Sequence, residues 1–456
     1  MGSPSLGSGQ AEPPRRSEGG RYAAKRVPDK RIKPEDLPSG FRRGEPRALG
    51  EFEFLTLDDM DTSGKRVFLR VDINSPLDPS THEILDDTRI RATSPTLEEL
   101  ADAAVVLGSH QSRPGKDDFT SLEPHANLLS RYCSREVLFV DDVLGPHARQ
   151  RISKLRPGQI LVLDNLRFCA EENMDESPEK LVRTHLVRRL APMFDCYVND
   201  AFAAAHRSQA SLVGLSEVLP SAAGRLMEKE LTAVSTLLEE PRRPSVYVLG
   251  GAKVEDKIRA IEHILALEKA DKILLGGVPG KLFLGAQGKR SSAEDGKNIA
   301  RYGEFLQRAK ELVHKHSEKL EVPADFAYDE NGKRVDRVVD NSTENDTALD
   351  IGAKTVERYS AIVKRAGTVV ANGPLGVFER NGYDLGTKSI LESMAESNAY
   401  TVIGGGHLVG LASIHGIDSK FSHVSTAGGA MLSLLAGQTL PGVEALVRAA
   451  KRTSIQ

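Results

Sequence analysis

The sequence predicts two α/β domains, each a doubly wound parallel sheet, joined by a helical linker and separated by a cleft. Short apolar runs alternate with helical patterns from about residue 53, which indicates right-handed crossovers between parallel strands. This alternation runs twice. A long amphipathic pattern at residues 219–244, ending in a proline-rich break, lies between the two runs and predicts the linker.

The first 50 residues differ from the rest of the chain. They are rich in Gly, Ser, Pro and Arg and carry 11 Lys and Arg against 6 Asp and Glu, a charge of +5 that leaves −8 on the body, because the whole chain carries −3. Such a segment buries too little apolar surface to offset its ordering entropy. We predict a disordered basic extension at 1–50. An inert extension is favoured over a nucleic-acid or partner-binding arm.

The strand patterns then fix the domain boundaries. In the first run they are KRVFLRVDI, AAVVLGS, VLFVDDV, QILVLDNL and MFDCYVNDAF, and in the second SVYVLGG, KILLGGV, GTVVANG and YTVIGGG. We therefore predict a first domain at 51–220, a linker helix at 221–240 and a second domain at 241–430. Both are expected to be Rossmann-like, with ligands in the cleft between them.

Composition narrows the class of protein. With 456 residues, 39% of them apolar and 27% charged, the chain is typical of a globular protein of two domains. The charge of −3 gives no argument for a nucleic-acid or membrane partner. Cys133, Cys169 and Cys196 have neither paired metal-ligand spacing nor an even count, which favours a reducing cytoplasm. No apolar run reaches the length of a spanning helix.

Charged residues gather at the predicted strand ends of the first domain. Several arginines and two histidines there suit a small, multiply charged substrate, because guanidinium groups bind carboxylate and phosphate oxygens in pairs. The candidates are Arg70, Asp72, Asn74, Arg89, His110, Arg113, Arg167, Asp200, His206 and Arg207.

The second domain has glycines at its strand ends instead. GGAK, GGVPG, NGPLG and GGGH suit phosphate binding by backbone amides and helix N-termini, so a nucleotide is expected. Lys253 and Lys257 lie one helical turn apart after the first of these turns, where they would face an anion, although a solvated surface is the alternative for both. A nicotinamide dehydrogenase is disfavoured, because the acidic residue that follows GGGH, Asp418, comes too soon.

These motifs, in this order, resemble the phosphoglycerate kinase family, and its archaeal branch most, from about residue 53 to the C-terminus. RVDINSP is similar to the family's RVDFNVP, GSHQSRP to SHLGRP, DNLRF to ENLRF, YVNDAFAAAHRS to YVNDAFGTAHRA, and VLGGAKVEDKI and NGPLGVFE to their family counterparts. The resemblance implies reversible transfer of a phosphoryl group from 1,3-bisphosphoglycerate to ADP, giving ATP and 3-phosphoglycerate. It also implies a C-terminal helix at 440–456 that packs on the first domain. We expect a monomer, and because acid and nucleotide would bind on different domains, we expect a closing motion about the linker and VSTAGGAM.

The resemblance assigns roles to individual residues. Arg89 would stabilise the transferring phosphoryl group, and with Lys253 and Lys257 it would form the catalytic set. The 3-phosphoglycerate pocket would comprise Asp72, Asn74, Arg89, His110, Arg113, Arg167 and Arg207. The nucleotide site would comprise Gly251, Lys253, Lys257, Gly276, Gly277, Asn372, Glu379, Gly404, Gly405 and Gly406.

The chain departs from the family pattern at two places. Ala203 and Ala204 replace Gly-Thr, and His407 with Leu408 replaces Asp-Thr after the third glycine of GGGH. Because imidazole is a poor magnesium ligand, we assign no metal ligand to the protein and expect Mg²⁺ to arrive with the nucleotide. His407 either contacts a phosphate or caps the helix. A non-catalytic sensor with the same pockets is the alternative function, disfavoured because Arg89, Lys253 and Lys257 are all present.

Overall fold

The computed structural model describes residues 47–49, 52–291, 295, 302–339 and 347–453. Two six-stranded parallel sheets form its centre, which confirms the prediction of two doubly wound α/β domains. The extension predicted at 1–50 lies for the most part outside the described residues. Its last described residues differ from the prediction, because β1 (Arg47–Leu49) pairs antiparallel with β2 (Phe52–Phe54). A truncated chain that keeps this hairpin therefore begins before Arg47.

The first sheet belongs to the N-terminal domain. Its strands are β3 (Arg66–Arg70), β4 (Ala104–Gly108), β5 (Val137–Val140), β6 (Ile160–Leu163), β7 (Cys196–Asn199) and β8 (Ser221–Ala223). They lie in the order β5-β6-β4-β3-β7-β8. The chain enters at β3, adds strands on one side, and returns to the other side of β3 with β7. The carboxyl ends of β3 and β7 thus form the switch point where open α/β sheets bind ligands.

Helices cover both faces of this sheet, and the β4 sequence AVVLG is buried throughout for that reason. Ala104 and Val106 enter one core, and Val105 and Leu107 enter the other. The helices are Thr88–Arg91, Ser94–Glu99, Glu123–Leu129, Pro146–Lys154, Pro178–Leu181, His185–Leu190 and Leu215–Val218.

The linker helix spans Arg225–Glu239, inside the predicted range of 221–240. The first residues of that range form β8 instead, because their backbone pairs with β7. Asp200, which follows β7, caps the helix: its Oδ1 accepts from the Met227 amide at 3.0 Å. Its other oxygen accepts from the Thr96 hydroxyl at 2.6 Å, so the first turn of the linker is fastened to the first domain.

The second sheet belongs to the C-terminal domain. Its strands are β9 (Ser245–Leu249), β10 (Lys272–Leu275), β11 (Leu320–Glu321), β15 (Thr368–Asn372), β16 (Tyr400–Gly404) and β17 (His423–Ser425). Their order, β11-β10-β9-β15-β16-β17, differs from that of the first sheet, because β10 and β11 follow outward from β9 in sequence order. The switch point of this sheet lies between β9 and β15. The helices are Val254–Ala266, Gly277–Ala286, Gly303–His316, Ala353–Lys364, Leu385–Glu396, Gly406–Ile414 and Gly428–Leu435.

A small antiparallel sheet, which the sequence analysis did not predict, is attached to this domain. It has the order β13-β12-β14 and consists of β12 (Asp325–Glu330), β13 (Lys333–Val338) and β14 (Asp350–Ile351). The turn between β12 and β13 is Asn331-Gly332, with φ of 53° and 80°. Two consecutive positive φ values are typical of the hairpin turn that Asn-Gly favours, so the signal for this hairpin was present in the sequence.

The last helix, Pro441–Thr453, contacts elements of the N-terminal domain. Arg448 Nε donates to Glu217 Oε1 at 2.6 Å, and Arg452 Nη1 donates to Glu217 Oε2 at 2.9 Å. Gly442 packs closely on Ala205, because a Cβ added at Gly442 would lie 3.1 Å from the Ala205 Cα. Of the helices in the described part of the chain, none is long and apolar enough to cross a membrane.

Candidate active site

The carboxyl end of β3 brings Asp72 together with Arg89. Arg89, on the short helix Thr88–Arg91, donates from Nη1 to Asp72 Oδ1 at 3.1 Å. The amide of Asn74 donates to the same oxygen at 3.0 Å. Burial acts to raise the pKa of Asp72, but the neighbouring His110, the charges of Arg89 and Arg70 and the hydrogen bond from the Asn74 amide outweigh it and hold the pKa below its usual range. Asp72 is therefore an ionised carboxylate that orients Arg89.

His110 follows β4 and is buried beside this pair. Its Nδ1 lies 3.2 Å from Arg70 Nη2, and its side chain is 3% exposed. Burial lowers its pKa well below the usual value. Asp72 opposes that shift, while Arg70, Arg167 and Arg207 add to it. His110 is consequently a neutral imidazole at pH 7.

Arg167 and Asn74 both hold the loop that carries His110 and Arg113. Arg167 Nη1 donates to the Ser112 carbonyl, and Asn74 Oδ1 accepts from the Ser112 amide at 2.8 Å. Arg167 is buried, and its Nη2 has no hydrogen-bond partner among the described residues. Burial, followed by Arg207 and Arg70, lowers its pKa to about 10. A buried, positively charged donor without a hydrogen-bond partner favours binding of an anionic ligand.

The remaining candidates of the first domain lie further out. Arg113 is exposed, whereas Arg207 is half-buried, with its Nε 3.2 Å from His206 Nε2. A small cavity of about 10 Å³ joins the site to the second domain, because Asp72 and Arg89 line it together with Leu226 of the linker helix and Thr426. Arg89 is thus close to the segment after β17, where the sequence predicts a hinge.

A larger surface pocket of about 410 Å³ lies elsewhere in the first domain. Its polar lining comes from Asp141, Asp142 and Asp164, so its charge does not suit an anionic substrate. The arginine cluster suits an anionic ligand better than this pocket does.

In the second domain, the glycine turns pack directly on one another at the switch point between β9 and β15. The Gly251 amide donates to the Pro374 carbonyl at 2.6 Å, and the Gly277 amide donates to the Leu375 carbonyl at 2.9 Å. Gly277 has φ +54°, and a Cβ on it would lie 2.8 Å from the Gly251 nitrogen. A Cβ on Gly276 would lie 2.4 Å from the Leu375 side chain. Glycine is required here because the turns crowd each other.

Lys257 lies buried beneath these turns. It is 5% exposed, and its Nζ donates to Asn372 Oδ1 at the end of β15. Asn372 Nδ2 in turn donates to the Gly428 carbonyl at 3.1 Å, so the amide connects Lys257 to the helix Gly428–Leu435. Burial lowers the pKa of Lys257 to about 8, with Asp256 opposing and Lys253 adding to the shift. Lys253 differs: it is exposed and immediately precedes the helix Val254–Ala266.

The GGGH turn leads into the helix Gly406–Ile414. Gly405 has φ +99°, and a Cβ on Gly428 would lie 2.0 Å from the Gly405 nitrogen, so this turn packs against the hinge segment. His407 is exposed, and its ring lies 5.1 Å from the ring of Phe378. Glu379 follows Phe378 and is also exposed. The GGGH turn and the end of NGPLGVFE therefore lie side by side.

The lysine in the stretch GGVPGKLF, Lys281, has a structural role. Lys281 Nζ donates to Asp295 Oδ1 at 2.8 Å and to the Ala348 carbonyl at 2.7 Å. Because both acceptors belong to other segments of the chain, Lys281 connects the helix Gly277–Ala286 to those segments.

Comparison with known proteins agrees with this geometry. The family model described as phosphoglycerate kinase matches residues 57–438. The phosphoglycerate kinase of Methanothermus fervidus is 45% identical over 406 residues, which cover 88% of this chain and 99% of that protein. The crystal structure of phosphoglycerate kinase from Pyrococcus horikoshii has a TM-score of 0.80 at 39% identity, with 87% of this chain and all of that chain covered. The structure of phosphoglycerate kinase from Coxiella burnetii has a TM-score of 0.72 at 33% identity, with coverages of 88% and 99%.

The chain belongs to the phosphoglycerate kinase family. It is accordingly a kinase that acts on small molecules in glycolysis, and the family, the fold and the enzyme class predicted from the sequence are confirmed. The curated relatives at about 45% identity are mostly archaeal, in agreement with the branch that the motifs resemble.

One set of contacts that connects the two domains of this phosphoglycerate kinase was missed by sequence reasoning. Glu230 of the linker helix is fully buried, and its Oε2 lies 2.9 Å from His423 Nε2 on β17. Its Oε1 accepts from the Thr426 amide at 2.7 Å and from the Thr426 hydroxyl at 2.8 Å. Burial acts to raise the pKa of Glu230, but these partners hold it below its usual value. The sequence did contain a signal for this contact, because Glu230 places a carboxylate between Met227 and Val234 on the apolar stripe of the helix.

Proposed function

We propose that this chain catalyses direct, reversible transfer of the acyl phosphate of 1,3-bisphosphoglycerate to ADP, with the acid on the first domain and the nucleotide on the second. The observation that supports this proposal most is that the switch points of the two sheets hold different charged groups. Arg89 is bonded to Asp72 at the first, and Lys257 is held by Asn372 at the second. The proposed boundaries are residues 51–220 for the acid-binding domain, 221–240 for the linker, 241–430 for the nucleotide-binding domain and 440–456 for the helix that packs on the first domain.

On the acid side, fixed positive charge and hydrogen-bond donors would hold 3-phosphoglycerate. The buried donors of Arg167 and the neutral ring of His110 support binding of its oxygens, with Arg113 and Arg207 at the outer end and Asn74 holding the loop between them. Asp72 would keep Arg89 aligned. These donors are in place before the substrate arrives, which lowers the reorganisation cost of binding.

The transfer itself needs no nucleophilic side chain. An oxygen of the ADP β-phosphate attacks the phosphorus of the acyl phosphate, the bond from phosphorus to the acyl oxygen breaks, and 3-phosphoglycerate leaves as a carboxylate. Arg89 from one domain and Lys253 with Lys257 from the other would stabilise the negative charge spread over the transferring group. The protein's part is alignment and charge stabilisation.

On the nucleotide side, the glycine turns and helix N-termini would receive the phosphates. Gly251, Gly276 and Gly277 donate their own amides to backbone carbonyls, so they would line the nucleotide site near Lys257 and Asn372 as turns that a phosphate can approach closely. The turn Gly404–Gly406 and the helix that it opens would present amides to the phosphates, and Glu379 would accept hydrogen bonds from the ribose hydroxyls. The packing of the turns on one another supports this role, because it fixes their position.

The residues present fit a magnesium ion that is bound mainly by the nucleotide. The described residues contain no cluster of three His, Cys, Asp or Glu side chains suited to a metal, and His407 offers an imidazole where oxygen ligands are preferred. When bound, Mg²⁺ would neutralise phosphate charge. Lys253 and Lys257 would orient the same phosphates from the protein side.

His407 should accordingly be dispensable for magnesium use. We expect His407→Ala to leave the magnesium dependence of the rate unchanged at saturating nucleotide, with kcat within about threefold of the parent. Steady-state kinetics over a magnesium titration measure this. A large rise in the magnesium requirement, restored by His407→Asp, would identify position 407 as a metal site and contradict the assignment.

Because acid and nucleotide bind on different domains, a closing motion must bring them together and exclude water. The bonds from Glu230 to His423 and Thr426 support a hinge at this point, since they connect the linker helix to the segment after β17. That segment lies beside Arg89.

Glu230→Gln should impair closure while both ligand sites stay intact. We expect kcat to fall about tenfold and the free energy of unfolding to fall by about 1–2 kcal/mol, because a buried charge-assisted bond is lost. Glu228→Gln on the same helix, which changes a contact with Arg225, is the control and should keep kcat. Equal kcat values for Glu230→Gln and Glu228→Gln would contradict a role of Glu230 in the hinge.

A coupled assay of ATP formation from ADP and 1,3-bisphosphoglycerate tests the function. A non-catalytic sensor would bind both ligands and form no ATP. We further propose a monomer that binds neither nucleic acid nor membrane and works in a reducing cytoplasm. The three cysteines, all free thiols, support that compartment.

A further inference from the structure

A buried polar chain lies beneath the acid site and consists of Glu172, Ser211, Arg70 and His110. The first three are fully buried, and His110 is 3% exposed. Glu172 accepts from the Ser211 amide at 2.9 Å and from its hydroxyl, and its Oε1 lies 3.7 Å from Arg70 Nη2. A buried carboxylate and guanidinium at this distance compensate each other's charge. None of the proposed roles in catalysis or binding uses Glu172, Ser211 or Arg70.

Arg70 is fixed on three sides. Its Nε donates to Ser211 Oγ at 2.7 Å, its Nη1 donates to the Val71 carbonyl, and its Nη2 lies 3.2 Å from His110 Nδ1. With no exposed surface, Arg70 cannot touch a substrate. Its hydrogen-bonding contact with the acid site is through His110, while its charge also acts on Asp72 and Arg167.

The contact between Arg70 and His110 determines where the imidazole carries its proton. A guanidinium has only donors, so the His110 Nδ1 that it meets must accept. An accepting Nδ1 leaves the proton on Nε2, and an imidazolium, which has no free lone pair, is excluded. None of the described residues forms a hydrogen bond with Nε2, which is therefore available as a donor.

We propose that Glu172 is a positioning residue for the reaction: through Ser211 and Arg70 it holds His110 as the neutral tautomer whose Nε2–H donates to an oxygen of the acid substrate. The proposal rests on the proposed function in one respect, that the acid binds at His110. The charged groups that face His110 are Asp72, Arg70, Arg167 and Arg207. The three arginines and the burial of the ring oppose its protonation, and only Asp72 favours it.

The expected consequence is that the affinity for the acid substrate does not change with the protonation of His110. A histidine that bound the acid as an imidazolium would lose affinity as the pH rose through its pKa. A fixed Nε2–H donor keeps the same hydrogen bond across the range in which free histidine titrates, near pH 6.5. The KM for 3-phosphoglycerate should therefore have no component from His110 between pH 5.5 and 8, about one unit or more on each side of that value.

Two-bond ¹H–¹⁵N correlation spectra of the full chain without substrate test the tautomer directly. We expect His110 to show a protonated Nε2 and an unprotonated Nδ1, unchanged over that pH range. In Glu172→Gln, Arg70 loses its countercharge, and we expect a mixture of tautomers together with a rise of about tenfold in the KM for 3-phosphoglycerate, with kcat changed by less than about threefold.

Glu171→Gln is the matched control. The neighbouring carboxylate accepts from the amides of His185 and Leu186 and caps a helix away from Arg70, so this variant should keep the tautomer and the KM. If Glu172→Gln does not fold, Ser211→Ala removes the acceptor of Arg70 Nε and should give the same mixture.

Two results would overturn the proposal. One is a parent His110 that carries its proton on Nδ1 or titrates near pH 6.5. The other is a tautomer in Glu172→Gln, or in Ser211→Ala where that variant replaces it, that is indistinguishable from the control. Because the spectra need no substrate, either result is separate from a failure of the coupled assay, which would refute the proposed function and leave the tautomer intact.

Discussion

Arg89→Ala is expected to lower kcat about a thousandfold, because we propose that this guanidinium stabilises charge that develops on the transferring phosphoryl group in the transition state. Substrate affinity should change much less, since that charge is smaller in the ground state. Steady-state kinetics with both substrates, together with direct binding of 3-phosphoglycerate, separate the two effects.

Arg91→Ala is the control for this experiment. Arg91 lies on the same short helix, but it is exposed and pairs with Asp87, so its removal should leave kcat near the parent value. The bond between Arg89 and Asp72 is also lost in the Arg89 variant, and thermal unfolding should show whether the fold persists. A folded Arg89→Ala enzyme with parental turnover would refute the catalytic assignment.

Lys257→Met is expected to have two opposite effects. It should lower kcat/KM at least about a hundredfold, because the cation that we propose at the nucleotide phosphates is lost. It should also raise the free energy of unfolding of the ligand-free protein at pH 7 by about 1–2 kcal/mol. A lysine pKa near 8 instead of 10.5 corresponds to about 3 kcal/mol of cost for the buried charge, and the lost bond to Asn372 offsets part of the gain.

The pH dependence of this stabilisation follows from the lowered pKa. Between pH 8 and 10.5 the unfolded lysine binds a proton that the folded one has released, so the parent gains stability as the pH rises through that window. The advantage of Lys257→Met should therefore be full at pH 7 and absent above pH 10.5. Denaturant unfolding at several pH values measures it, and a variant that is less stable at every pH would contradict the inferred cost.

Lys253→Ala is the comparison at the exposed lysine. By sequence position alone, Lys253 is predicted to have the larger catalytic effect, because it is nearer the glycine turn. The burial of Lys257 against Asn372 favours Lys257 instead. Lys253→Ala should lower kcat/KM less and should not change the stability with the same pH profile.

Sequence by itself determined the α/β class, the two sheets and the family of this protein. Strands buried on both faces appear as continuous apolar runs such as AVVLG and TVVAN, and the crossovers between them have helical periodicity. The glycine turns were equally evident, although the structure shows that Gly277 is required by the approach of Gly251. These signals are local, and the physics that produces them acts within a few residues along the chain.

Only the tertiary structure decided which polar groups are buried and what they meet. Glu230 and His423 are separated by 193 positions in the sequence, and Glu172 and Ser211 by 39, so no periodicity or spacing indicates that they bond. The same holds for Lys257 and Asn372, separated by 115 positions. A hydrogen bond gains its strength and its effect on a pKa from exclusion of water. That exclusion exists only after helices and strands from distant parts of the chain have packed together.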